Sequence, residues 1–231
     1  MARCSSFFIT MKNYKYLAFF MTFFSVILIL SNIASTKILS LGWFNFDGGT
    51  LLFPLSYILG DMLTEIYGYT NSRRVIWTGF FMNILMILVF WLVGILPPAF
   101  SWKNQIAYNT ILGIIPRIVL GSLTAYLIGA FLNSYILAKL KVKTAGKYFW
   151  IRAIISTLIG EFFDTSIFII IAFVNILPWN LIWIIWISNY IFKVGIEIIF
   201  LPITYKIVNL LKKKENEDYY DKNTNFNPLK I

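Results

Sequence analysis

The 231-residue chain has no histidine, a single cysteine and few charges, with only 13% of residues ionisable as Asp, Glu, Lys or Arg. Without histidine there is no Ser-His-Asp triad and no His-ligated zinc site. The one cysteine, Cys4, closes no internal disulfide and fits no metal-ligand spacing. No G-x-x-x-x-G-K-[ST] run occurs, so the chain lacks the loop that cradles ATP phosphates. What it has in quantity is apolar surface: 59% hydrophobic and 19% aromatic residues, against about 45–50% apolar in soluble domains. That composition excludes a disordered chain, a disulfide-stapled secreted module and a conventional cytosolic enzyme. This is a membrane protein.

The longest stretches free of Asp, Glu, Lys and Arg are Tyr16–Thr36, Val75–Trp102, Ile118–Ala138 and Thr165–Phe192. About 20 apolar residues cross the hydrocarbon core as a helix. The first and third stretches each hold one helix, and the second holds one that stops near Pro97-Pro98. The fourth is broken at Asn175-Ile-Leu-Pro-Trp-Asn180, where Pro178 cannot continue a helix. Gly48–Gly60 is too short to cross unless it runs on through Asp61 and Glu65; otherwise it is re-entrant or interfacial. The charge pattern favours the crossing. The expected architecture is all-α, a polytopic membrane protein with six transmembrane helices in a compact bundle. The approximate spans are 16–37, 49–70, 75–97, 113–138, 149–174 and 180–208, within a transmembrane domain over 16–211. A leader (1–15) and a polar, solvated tail (212–231) flank it.

The positive-inside rule sets the orientation. Arg3, Lys12 and Lys15 precede the first span, Arg73 and Arg74 follow the second, and Lys139, Lys141, Lys143 and Lys147 follow the fourth. Lys206, Lys212, Lys213, Lys214, Lys222 and Lys230 lie at or beyond the end of the last. With six spans these fifteen cations share one side, leaving Lys37 and Lys103 on the other. Both termini are therefore expected in the cytoplasm, in a multi-pass protein of the cytoplasmic membrane, with Trp43, Trp102 and Trp179 at the outer interface. The net charge of +10 then reflects topology, and nucleic acid is not an expected partner. Tyr16–Thr36 exceeds the apolar core of a cleavable signal, about 7–15 residues.

Ionisable groups at membrane depth are costly, about 2.5–3.5 kcal/mol each on insertion scales, and normally face a cavity or a partner. Asp61 and Glu65, four apart, share one helix face. They either meet water or Arg73 and Arg74 at the helix end, or face a cavity, and the Gly48-Gly49, Phe53-Pro54 and Tyr57 neighbourhood favours the cavity. Glu161 and Asp164 also share a face and either pair with a basic residue on another helix or touch a ligand, with Arg152 and Ser156 on the same helix. Lys193 and Glu197, one turn apart, are expected to neutralise each other. Arg117 lies near the start of the fourth span. Asn32 lies deep in the first span, Asn83 reads as interhelical glue, and Gly121, Ala125 and Gly129 form a packing ridge.

Composition and spacing end at a small polytopic transporter. The run Gly48-Gly-Thr-Leu-Leu-Phe-Pro-Leu-Ser-Tyr-Ile-Leu-Gly-Asp61-Met-Leu-Thr-Glu65-Ile-Tyr-Gly68 resembles the signature of the vitamin uptake transporter family, queuosine precursor transporter subfamily. Ser31-Asn32, Lys37 and Arg73 match as well. The second half continues the resemblance in Thr144-Ala-Gly-Lys147, Trp150-Ile-Arg152 and Ser156-Thr-Leu-Ile-Gly-Glu161-Phe-Phe-Asp164-Thr165.

The resemblance implies uptake across the cytoplasmic membrane of 7-deazaguanine bases (preQ0, preQ1 or queuine), salvaged for the tRNA nucleoside queuosine. It implies no cofactor and no enzymatic reaction. A guanine-like edge presents adjacent N–H donors that a carboxylate accepts in pairs, and its flat face suits aromatic walls such as Phe53, Tyr57 or Phe168. An aminomethyl-bearing precursor is also a cation, which a second acid favours. Asp61 or Glu65, and Glu161 or Asp164, are accordingly the expected contacts, with Asn32 assisting and Arg152, Lys193 and Glu197 in supporting ion pairs. The rival expectation is a substrate-binding subunit of an ATP-driven energy-coupling module, although Ser31 and Ser35 stand where such a subunit has an Ala-xxx-Ala face. A homo-oligomer is equally open. An intramembrane protease would need an aspartyl motif that the chain does not match.

Overall fold

The structure is a computed structural model describing residues 14–41, 44–112, 115–175 and 178–230. Arg3, Cys4, Lys12, Trp43 and most of the expected leader lie outside the described residues. The chain begins with α1 (Leu17–Ala34), then a short antiparallel hairpin, β1 (Ile38–Leu41) with β2 (Phe44–Asp47), in which Ile38 faces Asp47 and Leu41 faces Phe44. One tight turn, Gly48–Leu51, leads into α2 (Phe53–Ile95). There follow α3 (Gln105–Leu112), α4 (Ile115–Lys143), α5 (Phe149–Phe173) and α6 (Trp179–Glu215). The described residues are thus helical apart from one hairpin, turns and connections, and among them five helices are long and apolar enough to cross a membrane.

Proline sets several of the boundaries. Pro54 lies in the first turn of α2, where a missing N–H costs nothing. Leu96, before Pro97, is extended and ends the same helix. Pro178 is the extended residue from which α6 starts.

The sharpest departure from expectation lies inside α2. Gly68 takes φ 78° and ψ 171°, a region essentially reserved for glycine, and the helix reverses there. Thr64 Oγ1 donates to Ser72 Oγ at 2.9 Å, whereas eight residues of straight helix would separate them by about 12 Å. The arms 53–67 and 69–95 therefore run antiparallel beside α1. Ser31 at the far end of α1 bonds the Gly49 carbonyl, and Asn32 reaches Asn83. Residues 71–74, expected as a connecting loop, are helical, and Arg73 is buried. One glycine suffices for the reversal, so no loop is needed.

The start of α1 and the end of α6 lie at the same end of the bundle. The backbone N–H groups of Lys15 and Tyr16 donate to Glu215, at 3.0 and 2.6 Å, and Tyr67 beside Gly68 donates its hydroxyl to the same carboxylate at 2.8 Å. The polar tail is mostly exposed but is tied to the bundle at several points. Asp221 is buried and accepts the Tyr69 N–H, Arg73 Nη1 donates to the Asn225 and Asn227 carbonyls at 3.0 and 2.7 Å, and the Trp77 indole donates to Pro228 at 2.8 Å. Backbone carbonyls of the tail accept from the buried Arg73 guanidinium. The core runs from Phe24 and Leu28 of α1 through Leu63 and Ile66 of α2 to Leu137 and Phe149. Large side chains such as Leu85, Leu88, Leu92, Ile184 and Ile191 face outward, as lipid contact demands.

Candidate functional site

Residues four apart on a helix stand above one another, about 6 Å along the axis. The first arm of α2 thus presents a row of Tyr57, Asp61 and Glu65, α5 presents Arg152, Thr157, Glu161 and Asp164, and α6 presents Lys193 and Glu197. The first arm of α2 and α6 run together while α5 runs against them, so the rows cross in three tiers.

In the tier farthest from the chain ends, Lys193 Nζ donates to Asp164 Oδ2 at 2.6 Å and stands 3.2 Å from Glu161 Oε2. It also lies 4.1 Å from the centre of the Phe53 ring, which packs at 5.6 Å against Tyr57. Glu161 and Asp164 are 0% and 2% exposed. Yet the Tyr57 hydroxyl, Glu161 Oε1, Asp164 Oδ1 and Thr165 Oγ1 are buried without a hydrogen-bond partner, and Glu161 Oε2 has only the ion pair with Lys193. Gly129 and Gly160 admit Tyr57 to this position, since a Cβ on either would meet its ring or hydroxyl.

The middle tier holds Asp61, Thr157 and Glu197. Asn133 Nδ2 donates to Asp61 Oδ1 at 2.6 Å and Thr157 Oγ1 to Glu197 Oε2 at 2.5 Å. A narrow cleft runs along this tier, lined by Asp61, Thr157, Val194, Glu197 and Thr204.

The tier nearest the chain ends is saturated. Glu65, 0% exposed, receives Arg152 Nη1 at 2.6 Å and Nη2 at 3.1 Å in a two-pronged pair, and Lys212 Nζ at 2.6 Å. Lys141 Nζ donates to the Glu65 carbonyl and, at 2.5 Å, to Asp218, which also meets Lys212 at 2.8 Å. Burial pushes the Asp218 carboxyl up, but the hydrogen bonds and charges of Lys141 and Lys212 outweigh it and hold it below the usual carboxylate range.

Several expectations change. Lys193 does not pair with Glu197; two carboxylates presented by α5 claim it, and Glu197 turns to Thr157. Asp61 and Glu65 share a row but not a role, because the cations of α4, α5 and α6 converge only on Glu65. Arg73 serves the tail instead of these acids. Asn32 lies apart from the acids: its amide donates to Asn83 at 2.6 Å and accepts from Ser122 at 3.1 Å, clamping α1, α2 and α4. With Phe53 it borders a separate, narrow hollow. Asn133, Thr157 and Thr165 were not singled out as site residues. Thr157 and Thr165 carried a usable signal, each lying one turn from Glu161 on the same face; Asn133 carried none.

With this geometry in view, comparison with known proteins is decisive. A family model described as "Putative vitamin uptake transporter" matches residues 47–207. The chain belongs to the vitamin uptake transporter family. A Bacillus subtilis (strain 168) protein named "Probable queuosine precursor transporter" is 33% identical over 171 residues, 72% of this chain and 73% of its own. An Escherichia coli (strain K12) protein named "Queuosine precursor transporter" is 28% identical over 210 residues, 88% of this chain and 91% of its own. These relatives place the family member in the queuosine precursor transporter subfamily. No solved structure matches it.

Proposed function

We propose that this family member imports 7-deazaguanine-type bases across the cytoplasmic membrane, using the tier of Phe53, Tyr57, Glu161, Asp164 and Lys193. The two arms of α2 count as separate crossings in this reading. With α1, α4, α5 and α6 they make six, and the end carrying both termini and most cations faces the cytoplasm.

The observation that carries the reading is the set of buried oxygens without a donor, the Tyr57 hydroxyl, Glu161 Oε1, Asp164 Oδ1 and Thr165 Oγ1, around a single lysine shared by two acids. Buried acceptors without donors are costly, so a donor-rich solute is the natural complement. The guanine-like edge offers an acceptor carbonyl beside a ring N–H and an amino group. Lys193 donates to the carbonyl while Glu161 accepts the two N–H groups side by side, and Phe53 and Tyr57 flank the ring face. Asp164 then accepts from an aminomethyl substituent where one is present. Glu65 is left to hold the bundle, its oxygens already taken. The acids of this tier are buried, so in this reading the base enters through an outward-open state.

The test is uptake of labelled base by cells expressing matched amounts of protein. Glu161→Gln and Asp164→Asn are each expected to cut uptake at least about tenfold, which is 1.4 kcal/mol of lost stabilisation. Wild-type uptake in both variants removes the proposal.

A further inference from the structure

The three tiers differ in one respect that the base does not explain. The upper acids have Lys193, and Glu65 has Arg152, Lys212 and Lys141. Between them, Asp61 and Glu197 are 4% and 6% exposed, and among the described residues no ion pair reaches either. Each has a single neutral donor, Asn133 or Thr157, and Glu197 Oε1 is buried with no partner while its side chain lines the cleft beside Asp61. Two buried carboxylates within electrostatic reach of each other cannot both stay ionised without a counter-charge.

We propose that the Asp61–Thr157–Glu197 cleft is the coupling site of the carrier, and that it takes a proton on Glu197 Oε1. The proton leaves hydronium on the outer side, neutralises Glu197 while the base is held one tier above, and returns to water on the inner side; nothing is oxidised or reduced. The groups facing Glu197 are consistent with this. They are Tyr57 and Asp61 from α2, Glu161 and, farther off, Asp164 from α5, and Lys193 from its own helix, while α4 presents the neutral Asn133. Lys193 is already engaged by the two acids of α5. A metal cation would want a fuller shell of oxygens than two carboxylates and a hydroxyl that already donates to one of them. The three residues lie one helical turn from Tyr57, Glu161 and Lys193 on their respective helices. Charge in the cleft and charge in the base tier are therefore felt across about 6 Å.

This inference rests on the transport reading above, and its test separates the two. The full chain is reconstituted in liposomes with a labelled 7-deazaguanine base, and the same preparation without base is examined by infrared spectroscopy. The wild-type protein is expected to concentrate base several-fold under an inward proton gradient, and a sodium gradient is expected to give no accumulation. In Glu197→Gln the accumulation ratio is expected to fall to one while exchange of base for base continues; Glu197→Asp, which restores a carboxyl, is expected to keep pH-driven accumulation. Without base, a protonated-carboxyl C=O band that shifts in D2O is expected in the wild-type and Glu197→Asp proteins and not in Glu197→Gln. Accumulation on sodium in place of protons, full pH-driven accumulation by Glu197→Gln, or no such band in the wild type overturns the coupling site. If the wild-type protein exchanges no base at all, the transport reading fails, and the infrared arm still decides whether Glu197 holds a proton.

Discussion

Glu65 and Asp164 are both fully buried carboxylates in the same bundle, yet their surroundings have little in common. Glu65 receives a two-pronged arginine and a lysine, and Lys141 binds its carbonyl, so its oxygens have no remaining demand. Asp164 has one lysine, shared with Glu161, and around it stand buried oxygens with no donor. The first is a knot tying α2, α4, α5 and α6 to the tail; the second is an unfinished set of bonds. A buried acid is therefore informative about ligand binding only once its partners have been counted.

The widest gap between the two acids is expected in stability. Glu65→Gln leaves Arg152 buried without its counter-charge while Lys212 keeps Asp218, and about 3–5 kcal/mol of destabilisation is expected from breaking such a buried pair. Asp164→Asn leaves Lys193 with Glu161 and is expected to shift stability by less than about 1 kcal/mol while uptake falls. Thermal unfolding of the two purified variants in detergent compares them directly, and equal losses of stability would erase the distinction.

A smaller effect sharpens the picture of the knot. Gly68→Ala forces a side chain onto a φ of 78° and into the Tyr219 ring that packs against it. About 1–3 kcal/mol is expected for the strained backbone alone. The same unfolding measurement checks it, and transport by the folded fraction is expected to persist.

The smallest effect is a pH dependence at the edge of the knot. Asp218 is held below the usual carboxylate range, so it favours the folded state where it is ionised in both states. That contribution is full above the unfolded value, about 3.9, and is lost as pH falls through the lower folded one. Wild type is expected to outlast Asp218→Asn near neutral pH, with the difference shrinking in acid. A melting-temperature difference that does not change with pH overturns this reading.

Much of the fold was readable because the bilayer leaves few options. Long apolar runs must be helices, Pro97-Pro98 and Pro178 must end them, and cations gather on one side. The reversal at Gly68 was less visible, because a glycine after an aromatic reads equally well as a loop start. The β1–β2 hairpin and α3 were missed because connecting segments this short carry no periodicity to read. At the site, Glu161, Asp164 and Lys193 were recognisable as polar groups at membrane depth, and a pair with a base on another helix was one of two readings for the acids, but Lys193 was not legible as that base. Lys193 has Glu197 one turn away in sequence and still chooses the acids of α5, since local spacing offers contacts that tertiary approach can outbid.

The amino-acid sequence by itself determined the class of protein, the material of each helix and which polar groups had to be accommodated in a low-dielectric interior. Those follow from composition and from the length of a helix needed to cross hydrocarbon. Tertiary structure alone decided which acid met which cation. Partner choice depends on how helices run against one another, on the α5 row crossing the α2 and α6 rows, and on a tail folding back to Lys141 and Arg73 from residues far along the chain. Spacing along one helix holds no information about that crossing.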